Sequence, residues 1–110
     1  MSAYAIAQVH SVEFGPDIVE YLERIDATLD PFGGHFIVHG GTSETVEGTW
    51  GQGGTIVIAF PDLERARAWW NSPAYRDILP LRTRHMVADI VLVDGVRAGY
   101  RAADSLRAGA

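Results

Sequence analysis

The sequence predicts a single α+β domain, a ferredoxin-like βαββαβ sandwich with an antiparallel sheet. Segments with strand and helix patterns alternate along the chain in the order of a split βαβ fold. The length of 110 residues is close to the commonest domain size, and the apolar content suits one compact core. We assign the domain to residues 1–96 and regard residues 97–110 as a C-terminal tail.

The first half of the chain predicts a strand, a helix and a second strand. Residues 3–9 alternate with small residues on one side, which indicates a strand against which a helix packs closely. Pro16 suits a first helical position, and the helical spacing of apolar residues after it ends at Pro31. The run 35–40 is β-prone, and 45–47 is expected to continue it or pair beside it.

The second half predicts strand, helix, short helix and strand, at 55–60, 63–70, 72–79 and 87–93. Asp62 and Ser72 are good N-caps for the two helices. We expect Pro80 to interrupt the second of them, because proline cannot continue the backbone hydrogen bonds of a helix.

The sheet of such a fold has helices on one face only, so its other face needs a cover. We expect that face to carry apolar side chains of Tyr4, Ile6, Ile37, Ile58 or its neighbours, and Ile90 or Leu92. In a chain this short the usual cover is a second copy of the same sheet, and we therefore predict a two-fold homodimer.

Composition excludes several classes of chemistry. The chain has no cysteine, and its 9 basic residues are all arginine, which removes thiol nucleophiles, cysteine-held metals and Schiff-base lysines. The net charge of −5 and the dispersed arginines argue against a nucleic-acid partner. No apolar run reaches the roughly 18 residues of a membrane span, and the start has no basic signal region. We expect a cytoplasmic protein without membrane contact.

Six motifs follow one another along roughly residues 3 to 96, namely Tyr21–Leu29, Phe32–Gly41, Val46–Trp50, Ile56–Pro61, Trp69–Tyr75 and Leu79–Arg82. In this combination they resemble the domain of unknown function DUF1330. The resemblance implies a dimeric α+β barrel, in which two ferredoxin-like protomers join sheet to sheet. It also implies a wider superfamily that includes cofactor-free monooxygenases of aromatic compounds, small isomerases and haem proteins, but no catalytic set.

Asp26 and His39 are the candidate proton acceptors. Asp26 flanks the apolar stripe of the first helix, where it acts as a general base, pairs with an arginine or remains a solvated carboxylate. His35 and His39 lie about 13 Å apart on a strand, at roughly 3.3 Å per residue, so we predict no metal site. His39 alone lines the cleft or is a structural histidine, and Gly40 with Gly41 would allow close backbone approach.

Tryptophans are the candidate pocket or interface residues. Trp50 lies in a glycine-rich loop that precedes a strand, so the loop is not a dinucleotide fingerprint. Trp50 is expected either to stack on a ligand or to anchor the partner protomer. Trp70 is assigned to the core, and Trp69 to a pocket wall or interface.

Tyr75, Arg82 and His85 form the last cluster, with a phenol, a fixed cation and a titratable imidazole. Together they suit a carboxylate or an enolate and the movement of a proton. The alternative is a buried ion pair of Arg82 with Asp26 or Asp77 that fixes helix packing.

These residues predict a homodimer that binds a small aromatic or carboxylated molecule between its sheet and helices, with no cofactor. If it catalyses a reaction, Asp26 or His39 accepts the proton and Arg82 stabilises the anion, while Trp50 and Tyr75 orient the substrate. His85 is a further substrate-binding residue. Whether the protein is an enzyme stays open. The alternatives are a non-catalytic ligand-binding or structural dimer and, third, haem binding through one histidine.

Overall fold

The computed structural model describes residues 1–107, so the last three positions of the predicted tail lie outside the described residues. The elements are β1 (Ala3–Val12), α1 (Pro16–Leu29), β2 (His35–His39), β3 (Thr55–Phe60), α2 (Leu63–Trp70), α3 (Pro73–Thr83) and β4 (Met86–Asp94), with short 3₁₀ helices at Asp30–Phe32 and Ala102–Leu106. Within residues 1–107, none of the helices has the length and apolar character that crossing a membrane requires.

The four strands form one antiparallel sheet in the order β2-β3-β1-β4. This order confirms the predicted ferredoxin-like sandwich, in which α1 and the pair α2–α3 pack against one face of the sheet. β1 runs through the middle, and its Ala5 pairs with Ile58 on one side and Leu92 on the other.

The register confirms one part of the predicted composition of the open face and corrects another. Because directly paired residues project to the same side, Ile58 and Leu92 share the helix-covered face with Ala5, and Ile90 shares it with Ala7. The open face carries Tyr4 between Ala59 and Val93, and Ile6 between Val57 and Val91. Tyr4, Ile6 and the neighbours of Ile58 therefore lie on this apolar face as expected, whereas Val91 and Val93 take the places expected for Ile90 or Leu92.

Two side-chain caps hold the short helices where the sequence predicts them. The Asp62 carboxylate accepts a hydrogen bond from the Arg65 backbone N–H at 2.8 Å, and the Ser72 hydroxyl accepts one from the Tyr75 backbone N–H at 3.3 Å. The expected break at Pro80 is wrong, since α3 continues to Thr83. Pro80 is exposed, and so is Arg76, the residue four positions earlier whose carbonyl has no helical partner at the proline.

The chain between β2 and β3 contains no strand, so the prediction of one at 45–47 is wrong. The ladder ends where the Gly40 backbone N–H donates to the Thr55 carbonyl at 2.9 Å, and beyond it the run finds no partner strand. The end of this loop returns closely to β1, because a Cβ on Gly53 would lie 1.9 Å from the Val9 carbonyl oxygen. Only glycine fits this crossing.

Candidate functional site

A cavity of about 70 Å³ lies between the helices and the helix-covered face of the sheet. Its floor includes the small side chains of Ala5, Ala7 and Ala88, which leave space that the helices above do not fill. The expected close packing of a helix on the small face of β1 is therefore incomplete. The lining also includes the exposed side chains of Leu22 and His39, so the cavity reaches solvent on that side.

Besides His39, three polar side chains line this largely apolar cavity, and they come from α1 and α3. The hydroxyls of Tyr21 and Tyr75 are 2.8 Å apart and share a hydrogen bond. Arg82 Nη2 donates to the Tyr75 hydroxyl over a long 3.4 Å, and the guanidinium lies 5.8 Å from the centre of the Tyr21 ring. We call Tyr21, Tyr75 and Arg82 the polar triad.

The continuation of α3 through Pro80 places the triad. Tyr75, Ile78 and Arg82 are the buried residues of α3, and their spacing of three and four puts them on one face of the helix. A helix that ended at Leu79 would leave Arg82 in a loop. The predicted grouping of Tyr75 with Arg82 is therefore correct in space, although the predicted helix is too short.

Arg82 carries a buried charge without a carboxylate partner. It is 7% exposed, and no ion pair of the described residues includes it. Its Nε–H is buried and makes no hydrogen bond. Burial lowers the pKa of Arg82, but the oxygens of Tyr75 and Tyr21 raise it by more, so the guanidinium keeps its charge.

Tyr21 is a neutral hydrogen-bonding group at physiological pH. Burial raises the pKa of the Tyr21 phenol far above its ordinary value, and the neighbouring Tyr75 raises it further. The polar triad thus presents hydroxyls and a guanidinium but no negative charge. Such an arrangement suits an anion, since a buried cation is costly unless it is paired.

The alternative of a buried ion pair for Arg82 is not what the structure shows. Asp26 is exposed on α1 and does not line the cavity. Asp77 lies on the outer side of α3, where its carboxylate accepts a hydrogen bond from Arg24 at 2.9 Å. Neither carboxylate therefore neutralises Arg82.

His39 lines the cavity because β2 contains an irregularity. The register shifts between Phe36 and Val38, so that Phe36 pairs with Ile58 and His39 pairs with Ile56, both on the cavity side. The two rings stack with their centres 4.8 Å apart. The same shift separates the histidines, since His35 pairs with Ala59 on the open face.

In residues 1–107, no group of three or more histidine and carboxylate side chains is arranged so that it could hold a metal ion. The expected close approach of backbone at Gly40 and Gly41 is absent, because nothing lies within 4 Å of a Cβ at either position. Gly40 instead has a φ of 67°, in the left-handed region that glycine favours.

Trp50 and His85 lie away from the cavity. Trp50 is 48% exposed in the loop between β2 and β3, beside residues 43–47. The His85 imidazole bonds the carboxylates of Glu13 at 3.1 Å and Asp17 at 2.9 Å, and so links the start of β4 to the start of α1. Of the six predicted site residues, the structure brings together His39, Tyr75 and Arg82.

Two lining residues were missed or misassigned from the sequence. Tyr21 lies three residues after Ile18 and four before Ile25, a helical spacing that could have placed it on the buried face of α1. Trp70 is half-buried and beneath the Arg76 guanidinium at 5.0 Å, whereas Trp69 is the fully buried one. Both tryptophans line the cavity.

The chain resembles several solved structures at low sequence identity. A protein of unknown function from Rhodopseudomonas palustris matches with a TM-score of 0.62 and 12% identity, covering 87% of this chain and 83% of that one. A dimeric ferredoxin-like protein of unknown function from Jannaschia sp. CCS1 matches with 0.56 and 12%, covering 86% and 100%. SnoaB, a cofactor-independent oxygenase from Streptomyces nogalater, matches with 0.52 and 13%, covering 91% and 98%.

These likenesses show the fold of the chain, and a separate comparison shows its family. No curated protein matches the chain. The family model of the domain of unknown function DUF1330 matches residues 2–96, which is most of the sequence. The chain therefore belongs to the DUF1330 family.

Proposed function

We propose that this protein binds a small organic carboxylate in the cavity between its sheet and helices, with the carboxylate on Arg82. The observation that carries the proposal is the buried, charged Arg82 without a carboxylate partner and with an unsatisfied Nε–H. Removing a cation from water costs free energy that an unpaired site does not recover. A bound carboxylate supplies both the missing charge and the missing hydrogen-bond acceptor.

The rest of the lining supports this proposal. Tyr75 already contacts Arg82, and its hydroxyl together with that of Tyr21 can donate to a carboxylate oxygen. Apart from His39, the remaining walls are apolar, which suits the carbon skeleton of an organic acid better than an inorganic anion. We expect this binding to take place in the cytoplasm.

The test is a fluorescence titration with acetate, butyrate, benzoate and succinate. Trp69 and Trp70 line the cavity and report binding, and a Trp50→Phe background removes the signal of the distant loop. We expect saturable quenching by at least one acid, weakened about tenfold or more by Arg82→Met, since a charge-assisted hydrogen bond contributes about 1.5–3 kcal/mol.

The matched control is Arg84→Met. It removes the same charge from an exposed side chain that lies two residues after Arg82 in the sequence. It should leave the dissociation constant unchanged. If no acid gives a response, or if both variants respond like the parent, the proposal is wrong.

Cofactor-free proton transfer is a second candidate, favoured by the position of His39 on the lining together with Arg82. In this reaction His39 takes a proton from the carbon next to a carbonyl. The electron pair of the C–H bond forms the C=C bond of an enolate, and the π pair of the carbonyl moves to its oxygen, where Arg82 and Tyr75 stabilise the charge. The carbon then takes a deuteron from the solvent, which re-forms the carbonyl. Hydrogen–deuterium exchange of 2-oxobutyrate, followed by NMR, should be faster with the protein and return to the background rate in His39→Gln. An unchanged rate in that variant would exclude His39.

We also propose that two copies pair through their open sheet faces. Val91 on that face is 57% exposed and Val93 is 41% exposed, an apolar exposure that a second sheet would cover. The similar protein from Jannaschia is described as dimeric. Light scattering should give twice the chain mass of 12.0 kDa, and Val91→Glu should give the single mass. The control Val19→Glu, on exposed α1 surface, should stay dimeric.

A further inference from the structure

Within the described chain, residues 97–107 form hydrogen bonds and ion pairs only with one another, and we call them the tail segment. The Asp104 carboxylate accepts hydrogen bonds from the Arg101 backbone N–H at 3.0 Å and from Arg97 at 2.8 Å, and it also bonds Arg107. The Arg101 guanidinium is exposed, and no ion pair of the described residues includes it. The tail segment therefore presents a cation whose counter-charge does not lie in residues 1–107.

The loop between β2 and β3 presents the opposite charge. Glu44, Glu47 and Trp50 line one concave surface of this loop, which we call the loop pocket. Both carboxylates are exposed, and no ion pair of the described residues includes either of them. The sequence has no arginine or lysine between Arg24 and Arg65, so the loop itself supplies no fixed cation. Two carboxylates beside an indole suit a guanidinium, which donates to the oxygens and stacks on the ring.

The division of charge along the chain favours a second copy as the partner of the tail segment. Residues 1–96 contain 13 of the 14 acids and 6 of the 9 arginines, whereas residues 97–110 contain three arginines and one acid. Nucleic acids and anionic membranes would be repelled by the acidic domain that carries the tail segment. A second copy instead offers carboxylates to the tail segment and receives the same contact in return.

The tail segment and the loop pocket leave opposite ends of the sheet. Asp94 pairs with Ala3 at the start of β1, while Thr55 pairs with Gln8, five residues further along that strand. At roughly 3.3 Å per residue, these two ends are about 17 Å apart. When two sheets stack about a two-fold axis that crosses their strands, the start of β1 in one copy lies over the far end of β1 in the other. This pairing brings opposite charges together, whereas an axis along the strands would bring the two acidic loops together.

We propose that Arg101 of the partner subunit occupies the loop pocket, so that each tail segment clasps the other copy. Its guanidinium donates to the carboxylates of Glu44 and Glu47 and lies on the Trp50 indole. This inference rests on the proposed pairing of two copies through their open sheet faces. The apolar faces then supply most of the affinity, and the clasp fixes the relative direction of the strands.

Introduced cysteines test which residues meet, because the chain has none of its own. Arg101→Cys and Glu47→Cys chains are mixed, treated with a short bis-maleimide and separated on a denaturing gel. We expect linked dimers in the mixture at about three times or more the yield of either variant alone, since opposite ends of the two copies meet. The matched control replaces Glu47→Cys with Glu23→Cys on the exposed surface of α1, and its yield should stay at background.

Charge reversal tests the nature of the contact. Arg101→Glu, and Glu44→Arg together with Glu47→Arg, should each raise the dissociation constant of the dimer about tenfold at low salt, because each dimer contains the contact twice. All three substitutions together should return the constant to within about threefold of the parent. Arg65→Glu makes the same change in net charge at an exposed position of α2 and should change the constant less than about twofold. These effects should shrink in about 0.5 M salt, where exposed charges are screened.

The outcomes separate the clasp from the pairing on which it rests. Background linking in a protein that still has the dimer mass would overturn the clasp and leave the pairing of the sheets intact. A single-chain mass at every concentration would overturn both. Linking by Arg101→Cys alone as strong as in the mixture would show that like ends meet, and reversals that add without recovery would show an effect of net charge only. Either result would overturn the clasp.

Discussion

Arg82 lies two helical turns after Tyr75 on α3, and its Nη2 is 3.4 Å from the Tyr75 hydroxyl, the contact that closes the polar triad. The relationship depends on the helix passing Pro80 without a break. The helix loses one backbone hydrogen bond at the exposed Pro80, and its continuation places the Arg82 guanidinium inside the domain. A buried guanidinium lowers the stability of a core, and such a loss of stability is typical of binding sites.

Arg82→Met should raise the free energy of unfolding of the unliganded protein. Methionine has a similar length and removes both the buried charge and the unsatisfied Nε–H, which cost about 1–3 kcal/mol in comparable sites. The lost contacts are a long hydrogen bond and an interaction with the Tyr21 ring at 5.8 Å. We expect a net gain of about 1 kcal/mol in urea unfolding.

The exposed Arg84→Met provides the comparison, with an expected change within about 0.5 kcal/mol. A loss of stability in Arg82→Met that exceeds the loss in Arg84→Met would mean that Arg82 is a packing residue. In that case its buried charge would no longer argue for a ligand.

Tyr75→Phe should destabilise the protein more than Tyr21→Phe. The Tyr75 hydroxyl bonds both Tyr21 and Arg82, so its removal leaves two buried groups without that partner, whereas removal of the Tyr21 hydroxyl leaves Tyr75 bonded to Arg82. We expect about 1–2 kcal/mol for Tyr75→Phe, about half of that for Tyr21→Phe, and less than the sum for the double variant. Equal single losses that add fully would show that the hydroxyls act independently.

The fold was predictable from the sequence because the hydrophobic periodicity and the residues that begin or end helices and strands agree along most of the chain. The β-branched run of β3 predicts a strand, and Asp62 and Ser72 each predict the start of a helix. The structure confirms all three. The faces of the strands were harder to predict. Ile58 and Leu92 pair with Ala5 through register, and register depends on contacts between distant segments that local patterns do not contain.

The candidate site was only partly predictable for the same reason. His39 lines the cavity because of a shift in β2 next to Phe36, and such a shift has no local signal in this sequence. Arg82 lies inside because tertiary packing overrides the local preference of Pro80 to end a helix. Asp26 looked like a cleft residue on the helical wheel, yet the buried face of α1 is rotated toward Tyr21 and leaves Asp26 exposed.

Gly53→Ala should detach the end of the loop between β2 and β3 from β1. A Cβ at this position would lie 1.9 Å from the Val9 carbonyl oxygen, a backbone atom that cannot move aside cheaply. We expect a loss of about 1–3 kcal/mol and faster proteolysis within the loop. Gly51→Ala is the control, because its nearest neighbour is the end of the Gln8 side chain at 3.5 Å. Equal proteolysis of both variants would contradict the tight crossing.

His85 should make the stability of the protein depend on pH. Hydrogen bonds from the imidazole to Asp17 and then to Glu13 raise the pKa of His85 above its ordinary value. The folded state therefore holds the proton more tightly than the unfolded chain. The resulting stabilisation is fully present below the unfolded pKa of about 6.5, while the carboxylates remain ionised, and it disappears as the pH rises through the higher folded pKa.

The measurement is urea unfolding of the parent and His85→Gln at pH 5.5, 7 and 9. The parent should be more stable than the variant by the largest margin at pH 5.5, and the margin should shrink toward pH 9, because the neutral imidazole no longer attracts both carboxylates. Urea is used rather than guanidinium chloride, since the exposed ion pairs would be screened by salt. His35→Gln is the control, because no ion pair of the described residues includes His35. A margin that stays constant or widens toward pH 9 would show that the His85 link between β4 and α1 does not depend on its charge.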